Sequence, residues 1–364
     1  MMSTTGERKL WSPITPTRVI FPQGALFHIA RTMFASTFNL NNNILLKEGS
    51  FFQSIFSWWP FGRKINQQQE EQKKNTGSNI SFTAAGYCIG KNVKAVPPIN
   101  TVQEVTNKSY DCGEDAFFVD NKSGSFGVAD GVGSWSKRGV DPGEIARKLM
   151  SNSQEAISAG QRDPYAALDQ AYKTIVQNKQ VRAGSSTACL LTIKNDKLLT
   201  ANVGDSGFIV LRPPTKSGQE YEVIYKSPEQ QLHFNCPKQL SIIPPELAEK
   251  RNFIQTNPSE ADKGQFSVLD GDIVVAGTDG LFDNLYQHEI ADEVTKASNE
   301  LKANNPQYEV EVAKRLVLRA KRVTRDKSVT RTPFADSASK NGMYHMGGKV
   351  DDITCVVARI SNKQ

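Results

Sequence analysis

Residues 126–135 read FGVADGVGSW. Phe126–Ala129 is a short apolar run of strand character, and it stops on Asp130-Gly131, a pair that breaks strands. Taken alone, an Asp beside a Gly at a strand end is a turn residue. The arrangement recurs along the chain. Glu114-Asp115 stands before the run Ala116–Val119, and Asp205 sits in VGDSG. Asp279-Gly280 follows the run Ile273–Ala276, and Asp351-Asp352 precedes Ile353–Ile360. If these strands converge, their carboxylates converge too. Clustered anions repel one another unless cations neutralise them. Oxygen-only donor sets select hard cations such as Mg2+ or Mn2+. Two such ions close together form a clamp for in-line attack of water on phosphorus.

The segments between these points alternate between strand and helix character. Asp141-Pro142-Gly143-Glu144 predicts a helix start, with Asp141 as cap and Pro142 in the first position. Asp163-Pro164 repeats that signal and leads into Leu168, Ala171 and Ile175, spaced as one helix face. Ser186–Ile193 and Leu198–Val203 read as strands joined by a turn at Asn195-Asp196, and Phe208–Leu211 reads as another. Helices are predicted over His288–Leu301 and Val310–Val323. The second carries Val312, Ala313, Leu316, Val317 and Ala320 at helical spacing. Strands grouped around paired helices predict an α+β layered fold rather than a regular βαβ repeat.

The chain has 364 residues, 38% of them hydrophobic and 23% charged, an ordinary globular mix. Its net charge of +6 is unevenly spread. Residues 1–64 hold seven basic and two acidic side chains, a balance of +5, which leaves the other 300 residues with 37 basic and 36 acidic ones. The body therefore has no basic footprint for nucleic acid, which also speaks against a nuclease as the carboxylate-bearing enzyme. Residues 1–63 are Arg-bearing, acid-poor and rich in Ser, Thr and Asn, the composition of an organellar transit peptide. Residues 64–80 are polar and Gln-rich and read as a linker; residues 81–364 form the expected domain. No window reaches the roughly 20 apolar residues that a bilayer requires. The five cysteines include no CxxC pair, so neither a disulfide framework nor a structural zinc site is expected. Cys189 and Cys355, in apolar runs, read as buried small hydrophobes.

GEDAFF, FGVADGVGSW, GSSTACLL, LTANVGDSGF, VVAGTDGLFDN and GGKVDDITCVV resemble, in order and spacing, the successive motifs of the type 2C protein phosphatase family. The match runs from about Phe82 to Ile360. The resemblance implies a four-layer α-β-β-α sandwich, two antiparallel sheets flanked by helix pairs, with metals at one edge. It implies a serine/threonine phosphatase that uses two Mn2+ or Mg2+ ions and a weaker third. Position by position, Asp130 would bridge both metals, Asp279 and Asp351 would complete one site, and Glu114 with the backbone carbonyl of Gly131 would serve the other. Asp130, Asp279 and Asp351 are thus the expected catalytic residues. Asp115 would orient the water shell, and Asp205 would help Asp279 hold the third ion. The nucleophile would be a metal-bridging hydroxide, with no phospho-enzyme.

Two positions depart from the family pattern. Val132 stands where many members have the His that protonates the leaving oxygen. Tyr110 stands where many have the Arg that holds the phosphate. Lys137 and Arg138 are either phosphate contacts or a solvated loop pair. FNCPKQLSIIPPE (234–246) and the Gly-Val-Gly-Ser-Trp version of the second motif resemble the family's organellar branch, which shares both departures. With the basic leader, this implies a mitochondrial protein, in the matrix, acting on phosphoproteins there. The rival reading is a catalytically weak or inactive member that binds phosphoproteins as a regulator; retention of every metal carboxylate argues against it.

Overall fold

The computed structural model describes residues 80–93, 112–215, 220–249, 253–301 and 305–362. The leader, the linker and Tyr110 lie outside the described residues. Ten strands build two sheets. In chain order they are β1 (Ile80–Ile89), β2 (Asp115–Asp120), β3 (Ser125–Asp130), β4 (Ala188–Lys194) and β5 (Lys197–Val203). They continue with β6 (Gly207–Arg212), β7 (Glu222–Lys226), β8 (Asp262–Ser267), β9 (Ile273–Gly277) and β10 (Ile353–Asn362). One sheet has the order β1-β10-β9-β6-β7 and the other β8-β5-β4-β3-β2, with antiparallel pairing throughout.

Alternation along each strand shows how the layers stack. On β9, Ile273 and Val275 face one core while Val274 and Ala276 face another. On β6, Ile209 and Leu211 separate in the same way from Phe208 and Val210. Strands buried on both faces read as continuous apolar runs, which is why these segments carry no polar-out pattern. The shared inner core lies between the sheets and is built on Phe117, Phe126, Leu191, Phe208 and Val356. The outer face of the second sheet is covered by α1 (Gly143–Ser158) and α2 (Pro164–Gln177). The outer face of the first is covered by α3 (Gln287–Glu300) and α4 (Tyr308–Val323). The α+β, four-layer expectation holds.

The predicted helix face of α4 is buried, with Val312, Ala313, Leu316, Val317 and Ala320 all withdrawn from solvent. Asp163 caps α2 as expected and accepts from the Tyr165 N–H at 2.9 Å. At α1 the register moves by one residue. Pro142 takes the cap position and the Asp141 carboxylate accepts from the Gly143 N–H at 3.0 Å. The predicted strand Ser186–Ile193 is broken at Thr187. Gly184–Ser186 pairs with Leu240–Ile242, and β4 begins at Ala188. Thr187 sits at the break because its N–H donates to the Asp130 carbonyl at 2.9 Å and its hydroxyl accepts from the Asp130 N–H at 3.0 Å. The strands β7 and β8, which the sequence did not suggest, are sheet edges. Edge strands keep a polar character that hides their periodicity.

The cysteines differ in part from expectation. Cys189 and Cys355 are buried and free, but Cys88 and Cys112 form a disulfide with Cα atoms 5.2 Å apart. Cys88 lies near the end of β1, and Cys112 lies on the segment that enters β2. That adjacency is made by sheet packing and leaves no trace in cysteine spacing.

Phe126 is fully buried between the sheets, its ring 5.6 Å from that of Phe82. Phe126→Ala removes most of a ring from a core that cannot collapse around it, so urea unfolding should show a loss of about 3–5 kcal/mol. A loss below about 1 kcal/mol would contradict the two-sheet packing at this point.

Candidate active site

The register of the two sheets delivers the acidic strand ends to one edge. Asp115, the first residue of β2, lies opposite Asp130, the last of β3. Gly277, the last of β9, pairs with Gly207 at the start of β6 and with Cys355 near the start of β10. Thr278-Asp279 therefore leaves β9 beside the points where Asp205-Ser206 enters β6 and Asp351-Asp352 enters β10. Thr278 joins the two sheets here. Its hydroxyl donates to Asp115 Oδ2 at 2.8 Å and accepts from the Thr354 N–H at 3.1 Å. Gly131 is held by donation of its N–H to the Glu114 carbonyl at 3.1 Å. Two glycines are required by close approach: a Cβ on Gly131 would collide with the Pro142 carbonyl, and one on Gly280 with the Asp352 carbonyl.

All the sequence-predicted acidic residues reach this edge. Glu114, Asp130 and Asp351 are half-buried, while Asp115, Asp205 and Asp279 are buried. Lys349, Lys91 and Asp283 also belong to the cluster, with Asp352 beside them. Lys349 donates to Asp279, to Asp283 Oδ2 at 2.9 Å, and pairs with Asp351 Oδ2 at 3.2 Å. Lys91 pairs with Glu114 Oε2 at 2.7 Å and with Asp352 Oδ2 at 3.4 Å. Asp352 also accepts from the N–H groups of Lys91 and Glu114, at 2.6 and 3.0 Å, which anchors the approach to β2. Asp283 and Lys349 had readable signals: Asp283 follows Asp279 by about one helical turn, and Lys349 stands two residues before Asp351 in GGKVDD. Lys91 had none, being 23 residues from its partner Glu114.

The electrostatics follow from burial and from like charge. Burial, then Asp352, pushes Asp115 well above the usual carboxylate range. Burial, then Asp279, Asp115 and Asp351, does the same to Asp130. Burial and Asp279 push Asp351 up to about 6 and Asp205 up to about 7. Burial works against ionisation of Asp279 too, but the Lys349 ammonium outweighs it and holds that carboxyl low. Burial likewise opposes the charge on Lys349, yet Asp279, Asp283 and Asp351 keep it protonated far beyond its ordinary range.

The residues fit hard cations. Glu114, Asp115, Asp130, Asp205, Asp279, Asp283, Asp351 and Asp352 outnumber the ammonium groups of Lys91 and Lys349. Asp115 Oδ1, Asp205 Oδ1 and Asp279 Oδ1 are buried without any hydrogen-bond partner. Buried acceptors left unpaired are costly unless something satisfies them. Among the described residues, however, no group of three or more His, Cys, Asp or Glu side chains is closed into a metal cage, and the Lys349 ammonium stands among three of the carboxylates.

Known proteins share this chain's sequence and fold. Over 290 residues, 78% of this chain and 90% of the relative, it is 35% identical to the protein phosphatase PTC7 homolog of Danio rerio. It is 35% identical over 292 residues to the human protein of the same name, covering 78% of this chain and 89% of the relative. The chain belongs to the type 2C family of serine/threonine protein phosphatases. No family model matches. The X-ray structure of the photosystem II phosphatase PBCP superposes on this phosphatase with a TM-score of 0.59 at 26% identity, covering 77% of this chain and 98% of that one. Of the two departures from the family pattern, Val132 is half-buried directly after the Gly131 turn and offers no proton.

The raised carboxyls make a prediction for the chelator-treated phosphatase. Asp205 titrates near 7 and Asp283 near 8 in the folded chain, against about 3.9 when unfolded. A group whose folded pKa is raised contributes stability that is complete below its unfolded pKa and is lost as pH rises through the folded one. The depressed Asp279 acts in the opposite sense, but only in acid. The melting temperature of the metal-free protein should therefore increase as pH falls from 9 to 6. A melting temperature that stays level or drops across that window would show that these carboxyls are not protonated on folding.

Proposed function

We propose that this phosphatase hydrolyses phosphoserine and phosphothreonine monoesters on mitochondrial phosphoproteins, using Mn2+ or Mg2+ held at the carboxylate edge. The observation that carries this reading is the convergence of acidic strand ends with three buried carboxylate oxygens unpartnered. Asp130, Asp279 and Asp351 would hold one ion. Asp130, Glu114 and the Gly131 carbonyl would hold a second, and Asp205 with Asp279 a weaker third. Bound ions of this kind supply Lewis acidity to phosphoryl oxygens and lower the pKa of the attacking water.

The chain's own groups set the rest. Thr278 fixes Asp115 in one orientation. Lys349 and Lys91 offset part of the negative charge, so a phosphate dianion meets less repulsion as it enters. Gln231 donates to Asp205 Oδ2 at 2.9 Å and leaves Oδ1 free to face the site. Because Val132 has no titratable atom, water near Asp205 would be the proton donor to the leaving serine oxygen. The basic, acid-poor residues 1–63 support delivery to the mitochondrial matrix.

Activity should require added Mn2+ or Mg2+ and disappear with EDTA. Asp130→Asn and Asp279→Asn should each cut turnover by about a hundredfold or more, which is roughly 2.7 kcal/mol of transition-state stabilisation. The metal-free melting temperature of Asp130→Asn should be unchanged or higher, since one carboxyl leaves a repelling cluster, whereas that of Asp279→Asn should be lower, since the Lys349 ammonium loses a buried partner. Full activity after exhaustive chelation would reject the metal-dependent reading. Asp205→Asn should impair a phosphopeptide, whose alkoxide leaves poorly, more than para-nitrophenyl phosphate, whose leaving group needs little protonation; equal losses would remove Asp205 from proton delivery. For localisation, residues 1–64 fused to a fluorescent reporter should reach mitochondria, and a diffuse cytosolic signal would count against import.

A further inference from the structure

A groove of about 680 Å³ opens at Val132, two residues beyond Asp130, and runs along the 3-10 helix Gly133–Arg138. Its floor is aromatic. Trp135 is buried and stacks on Phe253 with ring centroids 5.3 Å apart. The Trp135 indole N–H donates to Ser185 Oγ at 2.9 Å, and Ser185 Oγ shares a 2.7 Å hydrogen bond with Ser241 Oγ. The Arg138 guanidinium lies over the other ring of this pair, 5.2 Å from the Phe253 centroid. Lys137 and Arg138 are exposed, and neither side chain has a hydrogen bond or ion pair with any described residue. None of the described residues lining the groove carries a carboxylate.

Resting on the phosphatase reading above, we infer that this groove seats the substrate's polypeptide flank and selects phosphoproteins with acidic side chains a few residues from the phosphorylated position. Charge complementarity gives the sign: two unpaired cations with no lining anion. Pre-organisation gives the discriminating group, because a guanidinium stacked on an aromatic ring keeps its donors free while losing little further entropy on binding. Reach gives the register. A 3-10 helix rises about 2 Å per residue, so Arg138 stands roughly 12 Å along the element from Val132. Extended peptide covers that span in about three to four residues. Arg138 is thus placed to read a neighbouring side chain rather than the phosphate itself.

Other occupants and other places fit less well. The chain's own leader carries +5 over residues 1–64 and would be repelled by Lys137 and Arg138. A second, smaller pocket of about 280 Å³ lies beside Asp283. It is lined by both signs, Lys226 and Lys340 with Glu229, Asp283 and Asp336, and offers no net positive charge to an acidic flank.

The test uses the full chain with Mn2+ and a set of phosphothreonine peptides. The peptides differ only in carrying Glu, Ala or Lys at the third and fourth positions, on either side of the phosphorylated residue. An exposed ion pair contributes about two- to fivefold, so with two cations the Glu peptides on one side should exceed the matching Lys peptides about tenfold in kcat/KM. The ratio should shrink as salt is raised, since these charges are solvent-exposed. It should fall towards one in Lys137→Ala/Arg138→Ala and invert in Lys137→Glu/Arg138→Glu. Inversion is a gain that a folding defect cannot mimic. No Glu-over-Lys preference in the native chain, or a preference that survives the charge reversal, would overturn the proposal. Absence of phosphate release from every peptide would instead sink the phosphatase reading, and this inference with it.

Discussion

The hydrogen bond from the Thr278 hydroxyl to Asp115 links the two sheets at the point where the chemistry has to occur. Thr278 belongs to the end of β9 and Asp115 to the start of β2, strands of different sheets. Everything else at the edge is referred to that link. Asp130 is opposite Asp115 by strand pairing, Asp279 is the next residue after Thr278, and Thr354 of β10 donates its N–H to the same hydroxyl. One side chain thus sets the relative position of four strands and three carboxylates. Because both participating atoms are buried, losing either partner would leave an unsatisfied polar group rather than a merely weaker contact.

The edge gathers carboxylates at a cost. Like charges withdrawn from water raise one another's pKa, and the raised carboxyls of Asp115, Asp130, Asp205 and Asp283 express that cost. The sandwich can hold them because they sit at the ends of strands whose sides are buried in three apolar cores. Lys349 and Lys91 offset part of the charge from two directions, one reaching Asp279, Asp283 and Asp351, the other Glu114 and Asp352. The two lysines differ in how they are held. Lys349 is a side chain on the acidic loop itself, whereas Lys91 follows β1, and its backbone carbonyl receives the buried ammonium of Lys321 at 3.0 Å.

The turn that positions Asp130 and Gly131 continues into the groove wall. Val132 donates its N–H to the Ser185 carbonyl at 2.9 Å, and the Ser185 hydroxyl receives Trp135. The strand pair Gly184–Ser186 and Leu240–Ile242 is therefore shared between the catalytic turn and the aromatic floor. A polypeptide seated on that floor would be referred to the same backbone that places Asp130. This coupling gives the groove its relevance to the reaction at the edge.

The order of the motifs, the apolar strand runs and the helix faces are local properties, and they were legible in the sequence. Phe126–Ala129, Leu198–Val203 and the α4 face from Val312 to Ala320 were read correctly because burial on a regular element imposes a period on the residues themselves. Glu114, Asp115, Asp130, Asp205, Asp279 and Asp351 were legible for a similar reason: each stands at the end of such a run, most of them beside a glycine. The edge strands β7 and β8 were hidden because their periodicity is diluted by solvent exposure. Only the tertiary structure joined Cys88 to Cys112, brought Lys91 to Glu114, and placed Thr278 against Asp115, since each contact is made by layers packing across long sequence separations. The stacking of Arg138 on Phe253 belongs to the same class. A single sequence records which residues an element needs; the partner that arrives from a different sheet is decided by how the sheets pack.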